Sequence, residues 1–194
     1  MSSMTQKPIA AEWLCRCIGQ ALDDNAIVVE EAVTNCASVL RQVCRTKQGT
    51  FLSSQGHSLG WALGAALGAS LARPRSIVAA LVGDGSFIFG HPIPALWAAK
   101  AYHAPFLCII LNNGRYNAVR AATEAAFGKE SFAQKTGHWV GVNIEPSPEY
   151  AQIAQACGAY GERIEDPQDI ENALGRAIEQ VRGGKAAVLD VKIA

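Results

Sequence analysis

No excess of either charge marks this sequence: Lys plus Arg and Asp plus Glu each total 17, for a formal net charge of zero. Without a basic stripe nothing points to nucleic acid, and without an acidic tail nothing points to a solvating segment. The N-terminus, MSSMTQKPIAAEWL, lacks the basic segment and apolar core of a secretory signal. The longest apolar stretch, LGWALGAALGASLA, has 14 residues and is rich in glycine, too short to span a bilayer. Six cysteines, at 15, 17, 36, 44, 108 and 157, form neither a C-x-x-C pair nor a cysteine/histidine cluster of zinc spacing. They read as the reduced thiols of a cytoplasmic protein, several of them small buried residues inside apolar segments. No G-x-G-x-x-G and no G-x-x-x-x-G-K-[ST] follows any strand, so dinucleotide and Walker-type readings lose their usual support.

What is present is a regular alternation of helix-period and strand-like segments over 194 residues, enough for one sizeable α/β domain covering 1–194. A hydrophobic share of 49% against 18% charged residues also predicts that part of the apolar surface ends in an interface. Pro8 precedes a helix, IAAEWLCRCIGQAL; AIVVE (26–30) is a short buried strand, and Thr34 is placed to cap a helix over 34–45. TFLSS is a weak strand, Ser58 is placed to cap the glycine-rich helix ending at Pro74, and SIVAALV (76–82) is a buried strand. A helix at 93–103, a strand at 106–111, helices at 147–158 and 166–184 and a strand at 186–193 follow. The region 124–147 is the least regular and reads as a long loop. Strands without polar alternation are buried on both faces, which predicts an open, doubly wound parallel sheet with helices on both sides.

In such sheets ligands collect at the carboxyl ends of the strands. Thr34-Asn35, Gly83-Asp84-Gly85-Ser86 and Asn112-Asn113 all lie just past such ends, as does SSQGHS at 53–58. Asp84 offers a hard charged oxygen and Asn113 a neutral carbonyl oxygen, a donor set for octahedral Mg²⁺ that shares its shell with phosphate. Gly85 allows close approach of backbone N–H to a phosphate, and Ser86 adds a hydroxyl. On the residues alone, G-D-G also reads as a tight turn and N-N-G as a loop opener.

GDGS, then 25 residues, then NNG resembles the thiamine diphosphate (ThDP) fingerprint. From about residue 9 onward the chain resembles the C-terminal, diphosphate-binding domain of the benzoylformate decarboxylase and acetolactate synthase family. The resemblance implies that Asp84, Asn113 and the main-chain carbonyl of Arg115 ligate Mg²⁺. It implies that Thr34, Asn35, Gly83, Gly85, Ser86 and Tyr116 contact the cofactor's diphosphate end. His57 falls where a main-chain carbonyl receives the aminopyrimidine, its imidazole being a catalytic candidate without an assigned task. Leu59 falls where a bulky side chain props the bent cofactor, and Val119 and Ala122 face the substrate side. Gly60, Gly64 and Gly68 recur at a spacing that lets another helix approach, and Arg120 reads as a solvated charge or a substrate carboxylate partner.

The same resemblance places the activating glutamate on a pyrimidine-binding domain absent from this chain, to be supplied by a partner in a hetero- or homo-oligomer. Glu30 and Glu31, near the diphosphate end, are not assigned that task. A methionine start and an ending on the last strand suit both a subunit of a split enzyme and a piece of a longer one, the natural subunit being favoured. Alone the chain is expected to be inactive. With its partner, the implied reaction is decarboxylation of a 2-oxo acid, ending in protonation or in carboligation. A 2-hydroxyacyl-CoA lyase subunit, acting on an acyl-CoA, a non-catalytic module of the same fold and a flavodoxin-like phosphate binder are the alternatives.

Overall fold

The computed structural model of the chain describes residues 5–54 and 58–194. Its strands are the segments with most to gain from leaving water. β1 (Ile27–Glu31), β3 (Val78–Gly83), β4 (Leu107–Asn112) and β6 (Ala187–Lys192) are buried along almost their whole length. β2 (Phe51–Ser53) and β5 (Tyr160–Ile164) are shorter or more polar and form the two edges. Among the described residues these make one sheet of order β2-β1-β3-β4-β6-β5. Every pairing is parallel, for instance Val29 with Ala80 and Ile110 with Asp190.

Helices cover both faces. α1 (Ala11–Ala21), α2 (Cys36–Gln42) and α9 (Ile170–Arg182) pack Leu14, Ile18, Val39 and Leu174 against Val28, Leu81, Ile109 and Leu189. On the other side α3 (Ala62–Ala72), α5 (Pro92–Ala101) and α8 (Tyr150–Ala156) pack Leu63, Leu96 and Ala154 against Val29, Ala80, Ile110 and Val188. Each fully buried Leu or Ile stabilises the fold by about 1.5–3 kcal/mol before entropy is counted. The expected doubly wound parallel sheet is thus observed. The thiols of Cys15 and Cys17 are pushed up by burial to about 12 and about 11, which makes them packing groups rather than nucleophiles.

Several local expectations change. α4 (Asp84–Phe89) starts directly on the acidic residue, and YGERI is strand β5, which its Gly, Glu and Arg concealed. The 124–147 loop in fact begins inside α6 (Asn117–Phe127) and contains α7 (Phe132–Thr136). Thr34 is not a helix cap: Val33 at φ 49° turns the chain into a single 3₁₀ turn, and α2 starts only at Cys36. Nor does Ser58 cap α3, which starts at Ala62. No described helix is long and apolar enough to cross a membrane.

The topology decides where a ligand can sit. The chain leaves β1 toward one edge, at β2, and leaves β3 toward the other, at β4. The two departing connections open a crevice at the carboxyl ends of β1 and β3, the switch point of the sheet.

Candidate functional site

That crevice is a cavity of about 530 Å³. One wall is the turn after β1, where Val33 holds a left-handed backbone. A β-branched residue rarely adopts that conformation, and such strain concentrates at functional sites. The floor is Gly83, Asp84, Gly85 and Ser86; the far wall is Asn113, Arg115, Tyr116 and the start of α6. Gly83 pairs with Leu111 across β3 and β4, so the Asp84 and Asn112-Asn113 ends emerge side by side.

Asp84 is 2% exposed. Its Oδ1 accepts the Gly85 N–H at 3.0 Å, while Oδ2 is buried and has no partner within the described chain. Burial pushes its carboxyl above the usual carboxylate range, and the backbone N–H groups of Gly85, Gly114 and Arg115 pull it back. No described Lys or Arg pairs with it. A buried carboxylate oxygen without a donor is costly unless a cation meets it.

Across from it, the 112–116 segment is a tight, hydrogen-bonded turn. Gly114 sits at φ 71° and its N–H is received by Asn112 Oδ1 at 3.1 Å. Asn113 Oδ1 receives the Arg115 N–H at 3.1 Å, and the Arg115 carbonyl receives the Asn117 N–H at 3.0 Å. Each of these oxygens keeps a second lone pair. Asp84, Asn113 and the Arg115 carbonyl therefore form an all-oxygen donor set with a single charge, which fits Mg²⁺ completed by phosphate and water. No group of three or more His, Cys, Asp and Glu suited to a metal occurs among the described residues.

Glu30 and Glu31 also reach the cavity, yet their charges are already engaged. Glu30 accepts the Ala32 N–H at 2.8 Å and the Ser53 hydroxyl at 3.0 Å. Glu31 accepts the Gly60 and Ala62 N–H groups, the second at 2.9 Å, so it is the carboxylate that caps α3 from a distant strand. Burial raises its carboxyl, and those N–H groups lower it. Its own carbonyl accepts the Ser86 hydroxyl at 3.2 Å. Glu31 thereby ties β1, the turn carrying Leu59 and the Asp84 helix together. Its sequence neighbourhood carried no sign of this task, because the partners lie far along the chain.

Thr34, Asn35, Leu59, Gly83, Asp84, Gly85, Ser86, Asn113, Arg115, Tyr116 and Val119 all border the cavity. A Cβ at Gly85 would collide with the Tyr116 ring, so these two close the floor against the wall. The Gly85 N–H and the Ser86 hydroxyl, expected to point at a phosphate, are turned to Asp84 and to the Glu31 carbonyl. Ala122 is exposed on α6 and does not border the cavity, because the helix carries it past the crevice after Val119. His57 lies outside the described residues. Arg120 is neither free nor in the cavity: it pairs with Glu124 at 3.0 Å and lies 4.9 Å over the Trp139 ring. Beyond Val119 an open cleft of about 570 Å³ runs between α6 and α7, walled by Phe127, Phe132 and Trp139.

The chain is similar to known proteins over most of its length. Residues 32–191 match the family model of the thiamine pyrophosphate enzyme C-terminal TPP binding domain. The chain is 36% identical over 171 residues to the benzoylformate decarboxylase of Pseudomonas aeruginosa, covering 88% of this chain and 30% of that one. It is 29% identical over 137 residues to the acetolactate synthase isozyme 3 large subunit of Escherichia coli, covering 70% and 22%. The Rhodococcus jostii RHA1 thiamine diphosphate-dependent 4-hydroxybenzoylformate decarboxylase superposes with a TM-score of 0.82 at 28% identity, over 97% of this chain and 33% of that one. The chain therefore spans about a third or less of the length of these relatives.

Proposed function

The chain belongs to the family of C-terminal TPP-binding domains of thiamine pyrophosphate enzymes, and on that premise we propose that it is the Mg²⁺- and ThDP-diphosphate-binding part of a 2-oxo acid decarboxylase or carboligase. In this reading it works only with a pyrimidine-binding partner domain and is inactive alone. The observation that carries it is the buried, unpartnered Asp84 Oδ2 beside the Asn113 turn, both bordering a cavity of cofactor size.

Asp84 would hold the cation with its charge, and Asn113 and the Arg115 carbonyl with neutral oxygens. Thr34, Asn35 and Tyr116 would hold the diphosphate end, and Leu59 would support the body of the cofactor. When bound, ThDP supplies a carbon nucleophile for a carbonyl substrate and a sink for the electrons left by CO₂. The chain's part is to orient that group, to neutralise its phosphates through the cation and to exclude water from the floor. Glu30 and Glu31 take no part in this chemistry, since their oxygens already accept backbone N–H groups and the Ser53 hydroxyl. Partner contact is supported by an unshielded apolar face on α3, α4 and α5, where Leu71, Phe89, Ile93 and Trp97 are more than half exposed.

The test is Asp84→Ala in the assembled enzyme. Cation-dependent ThDP binding and turnover are expected to fall to background, with the circular dichroism of the chain unchanged. A fully active variant complex would overturn the reading.

A further inference from the structure

One buried carboxylate has no place in the chemistry just described. Asp190 stands in the middle of β6, 1% exposed, next to β4 in the sheet. Its flanking residues on the strand, Leu189 and Val191, are core. A carboxylate buried in such a setting is a weak contributor to stability, so its reason is better sought in what it orients.

Asp190 Oδ1 accepts a hydrogen bond from Asn112 Nδ2 at 2.8 Å. Asn112 is wholly buried at the end of β4, and the same nitrogen reaches the Ser147 hydroxyl at 3.3 Å. A backbone N–H can only donate, so the Asn112 oxygen turns to Gly114 and its nitrogen to Asp190. That oxygen receives the Gly114 N–H at 3.1 Å and closes the left-handed turn. Within this turn lie Asn113 and Arg115, the residues that face Asp84. The turn is docked from outside as well: Ile144 N–H reaches the Gly114 carbonyl at 2.8 Å and Tyr116 N–H the Val142 carbonyl at 2.8 Å. From inside the sheet, however, its side-chain anchor is the Asn112 amide. Burial pushes the Asp190 carboxyl above the usual carboxylate range, and the Asn112 amide, Arg163 and Lys192 pull it back.

We propose that Asp190 is a positioning residue: by fixing the orientation of the Asn112 amide it sets the 112–115 turn that presents the Asn113 and Arg115 oxygens to the cation. This rests on the reading of Asp84, Asn113 and Arg115 as the cation's ligands. Asp190 itself touches neither cation nor cofactor. Its effect is on the shape of the turn, and hence on how well the cation is held.

The experiment uses the assembled enzyme with two readouts, amide hydrogen exchange over 112–116 of this chain and Mn²⁺ affinity in the presence of ThDP. Asp190→Ala is expected to speed exchange in that segment by about tenfold while β3 and α9 stay protected. It is expected to weaken Mn²⁺ binding by about 10- to 100-fold, as loss of an outer partner of a metal site does. Asp190→Asn keeps an oxygen for Asn112 and should restore both. Asn112→Asp alone sets two carboxylates face to face and should be as damaging as Asp190→Ala. Combined with Asp190→Asn, donor and acceptor exchange places and the turn should recover, a test that stands even where the alanine variant fails to fold. Unchanged exchange at 112–116 in Asp190→Ala, or no recovery in the exchanged pair, would overturn the proposal. Should the unsubstituted assembled enzyme bind no Mn²⁺ while its exchange still answers to Asp190, the positioning role stands and the cation reading falls.

Discussion

The two helical layers on this sheet are built to different specifications. α9 carries Ile170, Ala173, Leu174, Ala177, Ile178 and Val181 inward, and Glu171, Arg176, Glu179 and Arg182 outward, a pattern made for water. α3, ALGAALGASLA, has no charged residue at all, and Gly64, Gly68 and Leu71 are exposed on it. α5 adds exposed Ile93 and Trp97, with Trp97 edge-on to Tyr102 at 6.5 Å. Both layers bury a face of the sheet. Only one has been given a surface that prefers solvent, so the other is the face a partner domain would cover under the proposed function.

The sharpest way to break that contrast is to damage the water-facing layer from within. Leu174→Ala, at a fully packed position of α9, is expected to cost about 2–5 kcal/mol of stability in denaturant unfolding. Gly64→Leu works on the other layer, where a Cβ at residue 64 would meet no described atom within 4 Å. It should raise the stability of the isolated chain by up to about 1 kcal/mol through helix propensity, yet lower the yield of assembled enzyme on a sizing column. A stable variant that assembles normally would remove α3 from the partner face. The smallest effect belongs to Glu162, which meets Arg176 of α9. Burial pushes its carboxyl up, but hydrogen bonds from Arg176 and Tyr160 hold it below the usual range. Its contribution is therefore present above the ordinary carboxylate pKa and is lost as pH falls through the lowered one. Glu162→Gln should make the acid side of the melting-temperature profile shallower.

How far the sequence could be read depended on where the physical cause lay. The central strands were legible because their apolar runs are local, and so were Asp84 and Asn113, which follow those runs directly. β5 was not, because an edge strand half open to water tolerates Gly161, Glu162 and Arg163 and shows no run. Thr34 has the chemistry of a cap, but the turn at Val33 moved the helix start beyond it. Glu31, Asn112 and Asp190 were missed as a group. Each acts on a partner distant in sequence, and only the strand order β1-β3-β4-β6 brings them beside the loops they hold. Ala122 lies outside the cavity: carrying a residue over by motif fixes its position on a helix but not the extent of the cavity.

The contact between Gly85 and Tyr116 has a consequence for the history of such a chain. The ring of one fills the space that a methyl group on the other would need, although one lies in the first turn of α4 and the other just before α6. Neither position is therefore an independent letter. A lineage that enlarges residue 85 must also move or shrink the ring at 116, so the two positions change together more easily than apart. The coupling of two mutations is written into one van der Waals contact.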